Sequence, residues 1–400
     1  MEPHNKHSPV KIFLFLQRIF YYEEGLYQII EDSVRFKPKT NEELQRGVDA
    51  WSEDDPRDGP IEIWNTKYIT DMSHLFQNLV SEKIVTLNLN GWDVSNVTNM
   101  ECMFLKNDDK EYFYNFNGRI DKWDVSQVKN MSFMFYGCYT FNQSIQKWDV
   151  SNVMHMYNMF DGCKSFNQPL NNWDVSSVVS MVYMFYGCFS FNQPLDKWNV
   201  QSVTDMSRMF QDCKLFNQSI DQWDVGQVLN MAYMLNDCKQ FNQPLNNWNV
   251  ESVTKMYNMF DGCKSFNQQL NNWDVSKVNE MSCMFQGCKR FNSPIGNWDV
   301  SKVTDMSWML RRCETFNQPL IEWDVGHVTT MDSLFFDCKQ FNRSLDDWDV
   351  HKVTSMKFMF YNCESFNKSL DNWDVSNVET MSSMFSYCGA LTKTIHFRID

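Results

Sequence analysis

The feature that most constrains the fold is a tryptophan that recurs every 25 residues without slippage. A fixed period of roughly 20–50 residues is typical of a solenoid, in which each unit buries its apolar face only by stacking on its neighbours. Two looser copies precede the regular ones, around Trp64 and Trp92. The sequence therefore predicts one elongated array, although 400 residues alone would favour two or three domains. The regular tryptophans are Trp123, Trp148, Trp173, Trp198, Trp223, Trp248, Trp273, Trp298, Trp323, Trp348 and Trp373.

Two different periodicities lie within each unit. The segment Trp148-Asp149-Val150 alternates like a short strand, with Trp and Val facing inward. Met156, Met159, Phe160 and Cys163 then follow at helical spacing, i, i+3, i+4 and i+7. These patterns predict an α/β solenoid of 25-residue units, with one short parallel strand and one short helix in each turn of a right-handed coil.

The residues before the array predict a helical N-terminal cap. Apolar residues fall at helical spacing from about 8 to 30, and Thr40 with Glu43 forms a capping box that opens a second helix. A run rich in Asp, Gly and Pro then interrupts the chain at 54–60. We expect a cap at 1–60, a solenoid of about 13 units at 61–388, and a C-terminal partial turn or cap at 389–400.

One unit carries a specific family pattern. Trp92–Phe104 reads Trp-Asp-Val-Ser-x-Val-Thr-x-Met-x-x-Met-Phe, and variants of this pattern extend over roughly 61–390. The chain thereby resembles the BspA-type leucine-rich repeats, specifically the Mycoplasma-type domain of unknown function found in surface lipoproteins. The resemblance implies a leucine-rich-repeat-like solenoid used for binding, which in bacterial relatives lies at the cell surface. The given residues show no lipoprotein signal with a lipidated cysteine, so we expect this chain to differ from those relatives in its location.

Charge and hydropathy narrow the partners. The net charge of −14 argues against nucleic acid, because binding to phosphates needs a concentrated basic face. No run of 18 apolar residues is present, so we expect no transmembrane segment. Val10–Leu16 resembles a short signal-peptide core, but Gln17 and Arg18 end it without a small-residue cleavage site, which favours a helix.

Thirteen cysteines pose the question of disulfides. Eleven share one column, starting at Cys138, while Cys102 and Cys283 share another phase. Side chains in one column of a stack point in parallel, which favours buried free thiols over disulfide bridges. We therefore expect an intracellular, reducing compartment, with a cell or particle surface as the alternative.

Two polar columns are interpreted as structural. The Asp after each Trp, such as Asp124, would form a calcium ladder or accept backbone N–H groups in a turn. Asn199 and Asn249 replace it in two units, which favours the turn. The Asn after each Phe, such as Asn142, is expected to point inward and to satisfy backbone groups of adjacent turns. Because Asn142 also opens a glycosylation sequon, such burial would count against a secretory route.

The methionine pairs are interpreted as core, with a methionine-rich binding groove as the alternative. The positions that vary between units are more informative about function. They lie two residues after the first Met and three residues further on, so a helix would place both on one face outside the core. Aromatic and Arg side chains there are typical interface anchors, with packing between neighbouring helices as the alternative. The candidate binding residues are Phe133, Tyr136, Tyr183, Tyr186, Arg208, Tyr233, Trp308, Arg311, Phe358 and Tyr361.

The sequence favours a function without catalysis. It contains no Gly-rich phosphate loop, no His–Cys metal spacing and no nucleophile motif, so we expect no enzymatic activity, cofactor or metal. The favoured function is a repeat scaffold that binds a protein partner through its surface. A self-assembling component of a particle or surface layer and a carbohydrate-binding, adhesin-like protein are the alternatives.

Overall fold

Successive units stack in parallel and form a solenoid. The computed structural model describes residues 35–51, 60–77, 85–105, 116–392 and 395–397. One parallel bridge joins each unit to the next directly before its first methionine, for example between His155 and Ser180. This series of bridges runs from Asp71 to Thr380. The predicted array is therefore present, and backbone hydrogen bonds between successive units run along its axis.

The segment after each bridge satisfies its own backbone in two alternating ways. The N–H groups of Met131, Phe133 and Phe135 donate to carbonyl oxygens of the next unit at 2.9–3.0 Å. The N–H group of Met134 instead donates within the unit, to the Met131 carbonyl at 3.2 Å. With the Ser132 N–H, which donates to the Asn130 side chain, every backbone N–H from 131 to 138 has a partner. Each unit thereby forms turns through its internal hydrogen bonds and joins the next unit through the others.

The predicted helix in each unit is wrong. The Met-to-Cys segments are consecutive turns, and positive φ angles at Phe133 (56°) and Gly137 (72°) interrupt any right-handed helical path. A helix would also use its N–H groups internally and leave none for the neighbouring unit. The i, i+3, i+4, i+7 pattern instead marks the residues that these turns direct into the core.

The predicted strand is also misplaced. In Trp148–Val150 the backbone has no bridge, and the pairing occurs at His155 instead. A leucine-rich repeat has a strand plus a helix or 3₁₀ turn in each unit. The described units lack that division, so the solenoid is confirmed whereas its predicted α/β detail is not.

Within the described ranges the only α-helix is α1 (Asn41–Ala50). Its N-terminus begins as the capping box predicts, because Thr40 Oγ1 accepts a hydrogen bond from the Glu43 N–H at 3.2 Å. Leu44 and Val48 on α1 are fully buried in the same core as the first units. Short 3₁₀ turns follow at Ile61–Ile63 and Leu89–Gly91. The helix expected at 8–30 lies outside the described residues, so the capping role remains a prediction.

The core consists of continuous columns of side chains. Trp248 and Trp273 stack at 6.3 Å between ring centroids with only 1° between their planes. The indole Nε1–H of Trp248 also donates to the Ile220 carbonyl of the preceding unit at 2.9 Å. Two phenylalanine columns run alongside, with neighbours such as Phe185 and Phe210 at 5.6 Å. The inward placement of the tryptophans and methionines is confirmed, since nearly all are less than 5% exposed.

We expect Trp248→Ala to lower the free energy of unfolding by about 3–5 kcal/mol, because it removes a buried ring between two stacked neighbours. Trp308→Ala is the control, because Trp308 is 40% exposed and lies outside the column. That substitution should cost no more than about 1 kcal/mol. Denaturant unfolding measures both variants, and equal losses would contradict the column as the main source of stability.

The positive φ angle at the position of Gly287 gives a second test of the turn structure. Gly287 has a φ of 71°, and a Cβ added there would lie no closer than 3.6 Å to its nearest neighbours, so Gly287→Ala adds strain of about 1–2 kcal/mol without a severe clash. Gly226→Ser is the control, because Gly226 has no positive φ and other units carry Ser at its position, as at Ser176. Its thermal midpoint should stay close to wild type. A Gly287→Ala protein as stable as wild type would rule out the strained turn.

Candidate functional site

The candidate residues occupy two columns on successive turns. Those of the first column, two residues after the first Met, all have positive φ values between 55° and 63°, for example Tyr183 at 57°. Those of the second column close the same turn, since the Tyr186 N–H donates to the Tyr183 carbonyl at 3.0 Å. The predicted proximity of the two columns is therefore correct, but a turn produces it and not a helix. We name the ten candidate residues together the aromatic face.

Most of the aromatic face is half-buried, which corrects the expectation of exposed anchors. Only Trp308 (40%) and Phe358 (38%) are exposed, and the other eight residues are partly covered. The rings cover one another within single units. Their centroids lie 5.8 Å apart for Phe133 and Tyr136, 5.5 Å for Tyr183 and Tyr186, and 5.9 Å for Phe358 and Tyr361.

The two arginines of the aromatic face lie against its rings. The Arg208 guanidinium carbon is 5.3 Å from the Tyr183 centroid and 3.9 Å from that of Tyr233, so one cation contacts rings from the units on both sides. Arg311 likewise lies 4.7 Å from the Trp308 ring. Such contacts hold the guanidinium groups in place and leave a surface of flat, preorganised groups.

The structure brings the candidate residues together in three clusters along the axis. Phe133 and Tyr136 form the first, Tyr183, Tyr186, Arg208 and Tyr233 the second, and Trp308, Arg311, Phe358 and Tyr361 the third. Contacts with residues of adjacent units complete these clusters. Sequence reasoning missed those residues because helical spacing identifies neighbours within a unit and not across units. They are Tyr157 and Tyr257, which meet Phe133 and Tyr233 edge-on, Phe336, which contacts Arg311 and Tyr361, and Tyr387, which contacts Tyr361.

A groove of about 240 Å³ opens beside the first and second clusters. Tyr136 and Tyr186 line it together with Asp161, which is only 8% exposed. Burial and the nearby Asp212 and Asp161 carboxylates raise the pKa of the Tyr186 phenol. Burial also raises the pKa of Asp212, another lining residue. The groove thus combines aromatic walls with acidic groups in a partly desolvated setting.

The Asp column after the tryptophans is structural, as predicted. Asp124 accepts the Ser126 backbone N–H at 3.1 Å, and Asn199 accepts the Gln201 N–H at 3.2 Å in the same way. Hydrogen bonds from Ser176 lower the pKa of Asp174, because they stabilise its charged form. Among the described residues, no group of three or more His, Cys, Asp or Glu side chains is arranged to hold a metal ion.

The asparagine column makes the predicted type of hydrogen bond but does not point into the core. Asn142 Oδ1 accepts the Asn167 backbone N–H at 3.0 Å, and this contact repeats from unit to unit. Asn142 is exposed and its counterparts are mostly half-buried, so the ladder runs along the surface. A surface position suffices for this ladder, because each amide needs to reach only one neighbour. The expected steric obstacle to a glycan at Asn142 is therefore absent.

The cysteine column is almost entirely buried, and its thiols have raised pKa values. All thirteen cysteines lie in the described part of the chain and none is in a disulfide. The Cys163 thiol donates to the Phe135 carbonyl at 3.1 Å, a contact that repeats along the column. Burial raises the pKa of the Cys138 thiol to about 12 and that of the less buried Cys283 to about 11. A nucleophilic cysteine needs a lowered pKa, so the raised pKa values of these thiols do not favour nucleophilic reactivity.

We expect alkylation of the native protein at pH 8 to modify at most Cys283 and Cys388, the two cysteines that are only partly buried. The other eleven should react only after denaturation. Because the thiolate is the reactive form and burial raises the Cys283 pKa to about 11, labelling at that site should accelerate as the pH rises from 8 towards 11. Mass spectrometry counts the adducts. Intact disulfides under non-reducing conditions, or rapid labelling of the column, would contradict this structure.

Within the described ranges, no helix is both long and apolar enough to cross a membrane. Exposed ion pairs between units contribute little, as solvent screens them. Exposed pairs join Lys255 to Glu280, Lys277 to Glu251, Lys289 to Glu314 and Lys339 to Glu364. A further pair joins Arg312 to Asp337, whose side chain is half-buried.

Comparisons with known proteins identify the repeat but no activity. A family model described as "Mycoplasma protein of unknown function, DUF285" matches residues 49–113, 106–219, 194–297 and 279–397. No curated protein matches the chain. A solved structure titled "Crystal structure of TLR13-ssRNA13 complex" aligns with this chain at 8% identity and a TM-score of 0.16. The alignment covers 83% of this chain and 65% of the chain in that structure. A similarity that weak carries no argument about fold or ligand.

Proposed function

The chain belongs to the family described as Mycoplasma protein of unknown function, DUF285, and we propose that it is a non-enzymatic scaffold that binds a protein partner through the aromatic face. The observation that carries this proposal is the set of large side chains on strained turns. Phe133, Tyr183, Arg208, Tyr233, Trp308 and Phe358 all stand at positive φ, where bulky residues are uncommon.

The core does not require these side chains. Residues at the equivalent position of other units are small or polar, such as Asn158, Cys283 and Ser333, on the same backbone. Large rings and guanidinium groups therefore accumulate where the fold accepts much smaller residues. Aromatic and Arg side chains contribute most to binding when a partner desolvates them, and their mutual contacts reduce the entropy lost on binding.

The described surface offers a long, shallow face, which suits a protein partner better than a small substrate. We also propose that the protein works in a reducing environment, which the thirteen unpaired thiols support.

We expect Tyr183→Ser with Tyr186→Ser, and separately Trp308→Ser with Arg311→Ser, each to weaken partner capture by at least about tenfold. The two pairs are five units apart, about 25 Å at the usual strand spacing, so one protein could contact both. Each variant should lose about 1–2 kcal/mol of stability, because its rings are half-buried and in contact, and should remain folded at 25 °C. The partner is first identified by affinity purification and mass spectrometry, then measured as a purified protein.

Leu215→Ser with Leu229→Ser is the matched control. Both leucines are 51% exposed and lie outside the aromatic face, so capture should be unchanged. Capture that survives in both aromatic variants would contradict the proposal. Concentration-dependent self-association lost in the same variants would indicate a self-assembling component, and retention of a glycan in place of a protein would indicate carbohydrate binding.

A further inference from the structure

One nine-residue segment occurs twice in the array with different neighbours. Met-Tyr-Asn-Met-Phe-Asp-Gly-Cys-Lys stands at 156–164 and again at 256–264. In both copies the Asn amide donates to the Asp carboxylate, from Asn158 to Asp161 at 2.7 Å and from Asn258 to Asp261 at 3.2 Å. The two copies thus place the same carboxylate on the same backbone. Any difference between the two sites comes from the adjacent units.

The units beside the second copy supply amides. Gln286 Nε2 donates to Asp261 Oδ1 at 3.2 Å, and Asn236 Nδ2 donates to the Asp261 backbone carbonyl at 3.3 Å. The second-column positions that carry Asn236 and Gln286 there carry Tyr136 and Tyr186 beside Asp161. The second-column positions on either side therefore carry amides next to one carboxylate and aromatic rings next to the other.

The ring-flanked copy lies in the groove of about 240 Å³. Tyr136 and Tyr186 stand two units apart, about 10 Å at the strand spacing, with Asp161 on the unit between them. The groove is also lined by three successive glycines, Gly137, Gly162 and Gly187, which place no side chain in that space.

The same molecule shows what fits between two rings at this spacing. Tyr183 and Tyr233 are also two units apart in one column, and the Arg208 guanidinium from the unit between them lies 5.3 and 3.9 Å from their centroids. The cation thus comes from the central unit and contacts both rings.

A second example repeats this arrangement directly after the cysteine column. Tyr139 and Phe189 are two units apart, and the Lys164 ammonium between them lies 4.2 and 5.7 Å from their ring centroids. Between Tyr136 and Tyr186, by contrast, the central unit contributes the Asp161 carboxylate. We call this space the slot. Tyr136, Asp161 and Tyr186 all line it, so its central unit contributes an acidic side chain where that of the other two arrangements contributes a basic one.

We propose that the slot formed by Tyr136, Asp161 and Tyr186 binds an arginine side chain of the protein partner. This inference rests on the proposed function and names the chemistry that the partner presents. Ring faces attract a cation, and a carboxylate of low exposure forms a charge-assisted hydrogen bond with it. Arginine fits better than lysine because its planar guanidinium stacks on rings and is more weakly hydrated.

The charge around the groove agrees with this occupant. Among the described residues that line it are two carboxylates, Asp161 and Asp212, and one ammonium, that of Lys164, which lies 4.2 Å from the Tyr139 ring centroid. The net charge of the chain, −14, also favours a basic partner segment over an acidic one.

The probe for this slot is acetyl-arginine amide, observed by saturation-transfer NMR at millimolar concentration and about 0.15 M salt, which screens the general charge of the protein. Acetyl-norleucine amide is the uncharged comparison and maltose the carbohydrate comparison. We expect the wild-type protein to saturate the arginine probe selectively. Asp161→Asn should reduce that signal by at least about fivefold, because it removes the charge and keeps the shape.

Asp261→Asn is the matched control, since it makes the same change in an identical local segment that lacks the rings, and it should leave the signal unchanged. Tyr136→Asn with Tyr186→Gln copies the surroundings of Asp261 and should also abolish the signal. The reverse graft, Asn236→Tyr with Gln286→Tyr and Asp237→Gly, should add a second arginine site, because Asp237 stands where the slot has Gly137. Thermal melting confirms that each variant is folded.

Equal arginine signals from wild type and Asp161→Asn would overturn the inference, as would stronger binding of norleucine amide or maltose. If wild type fails to bind the arginine probe while partner capture still depends on Tyr183 and Tyr186, this inference fails and the proposed function stands. If the probe binds as expected but no aromatic-face variant alters capture, the slot is a cation site and the proposed function fails.

Discussion

The structure depends on backbone hydrogen bonds that leave each unit and end on the next. Alternate N–H groups of the Met-to-Cys segment, such as those of Phe133 and Phe135, donate to carbonyls one unit further along. The intervening groups mostly close turns inside the unit, so every backbone N–H from 131 to 138 has a partner. The hydrogen bonds between units set the stacking distance. Each residue then lies next to its counterpart in the next unit, which produces the tryptophan, phenylalanine and cysteine columns.

Much of this fold is predictable from the sequence. The 25-residue period gives the solenoid, and the residues at fixed positions give the core, since only inward positions need constant apolar side chains. The absence of a helix was not predictable from apolar spacing, because consecutive turns and a helical turn both place i, i+3 and i+4 on one side. The useful signal lay elsewhere, in Gly137, Gly162 and Gly187 at a position where other units carry Asp212, Asn362 or Arg312. Gly alternating with Asp and Asn is typical of a left-handed residue.

The candidate site was predictable only in part, for a related reason. Sequence spacing identified the two columns of large side chains, because those columns vary while the core does not. It did not show that the rings and guanidinium groups would cover one another across units. Asp161 and Asp261 illustrate the limit, because their nine-residue segments are identical. One lies between tyrosines and the other between amides, and that difference depends on residues 25 positions away in each direction.

The left-handed turn at the first column has a consequence for how such a surface diversifies. Its conformation is imposed by hydrogen bonds that its backbone donates to the next unit, as from the Tyr183 N–H to the Ser207 carbonyl, and not by the side chain that occupies it. The position therefore accepts rings, arginine, asparagine, cysteine and serine on one backbone path. Each of these units carries one such position, whose side chain can be replaced without a change in the backbone path. Single substitutions there change the rings and charges that the surface presents, while the stacking of the units stays the same.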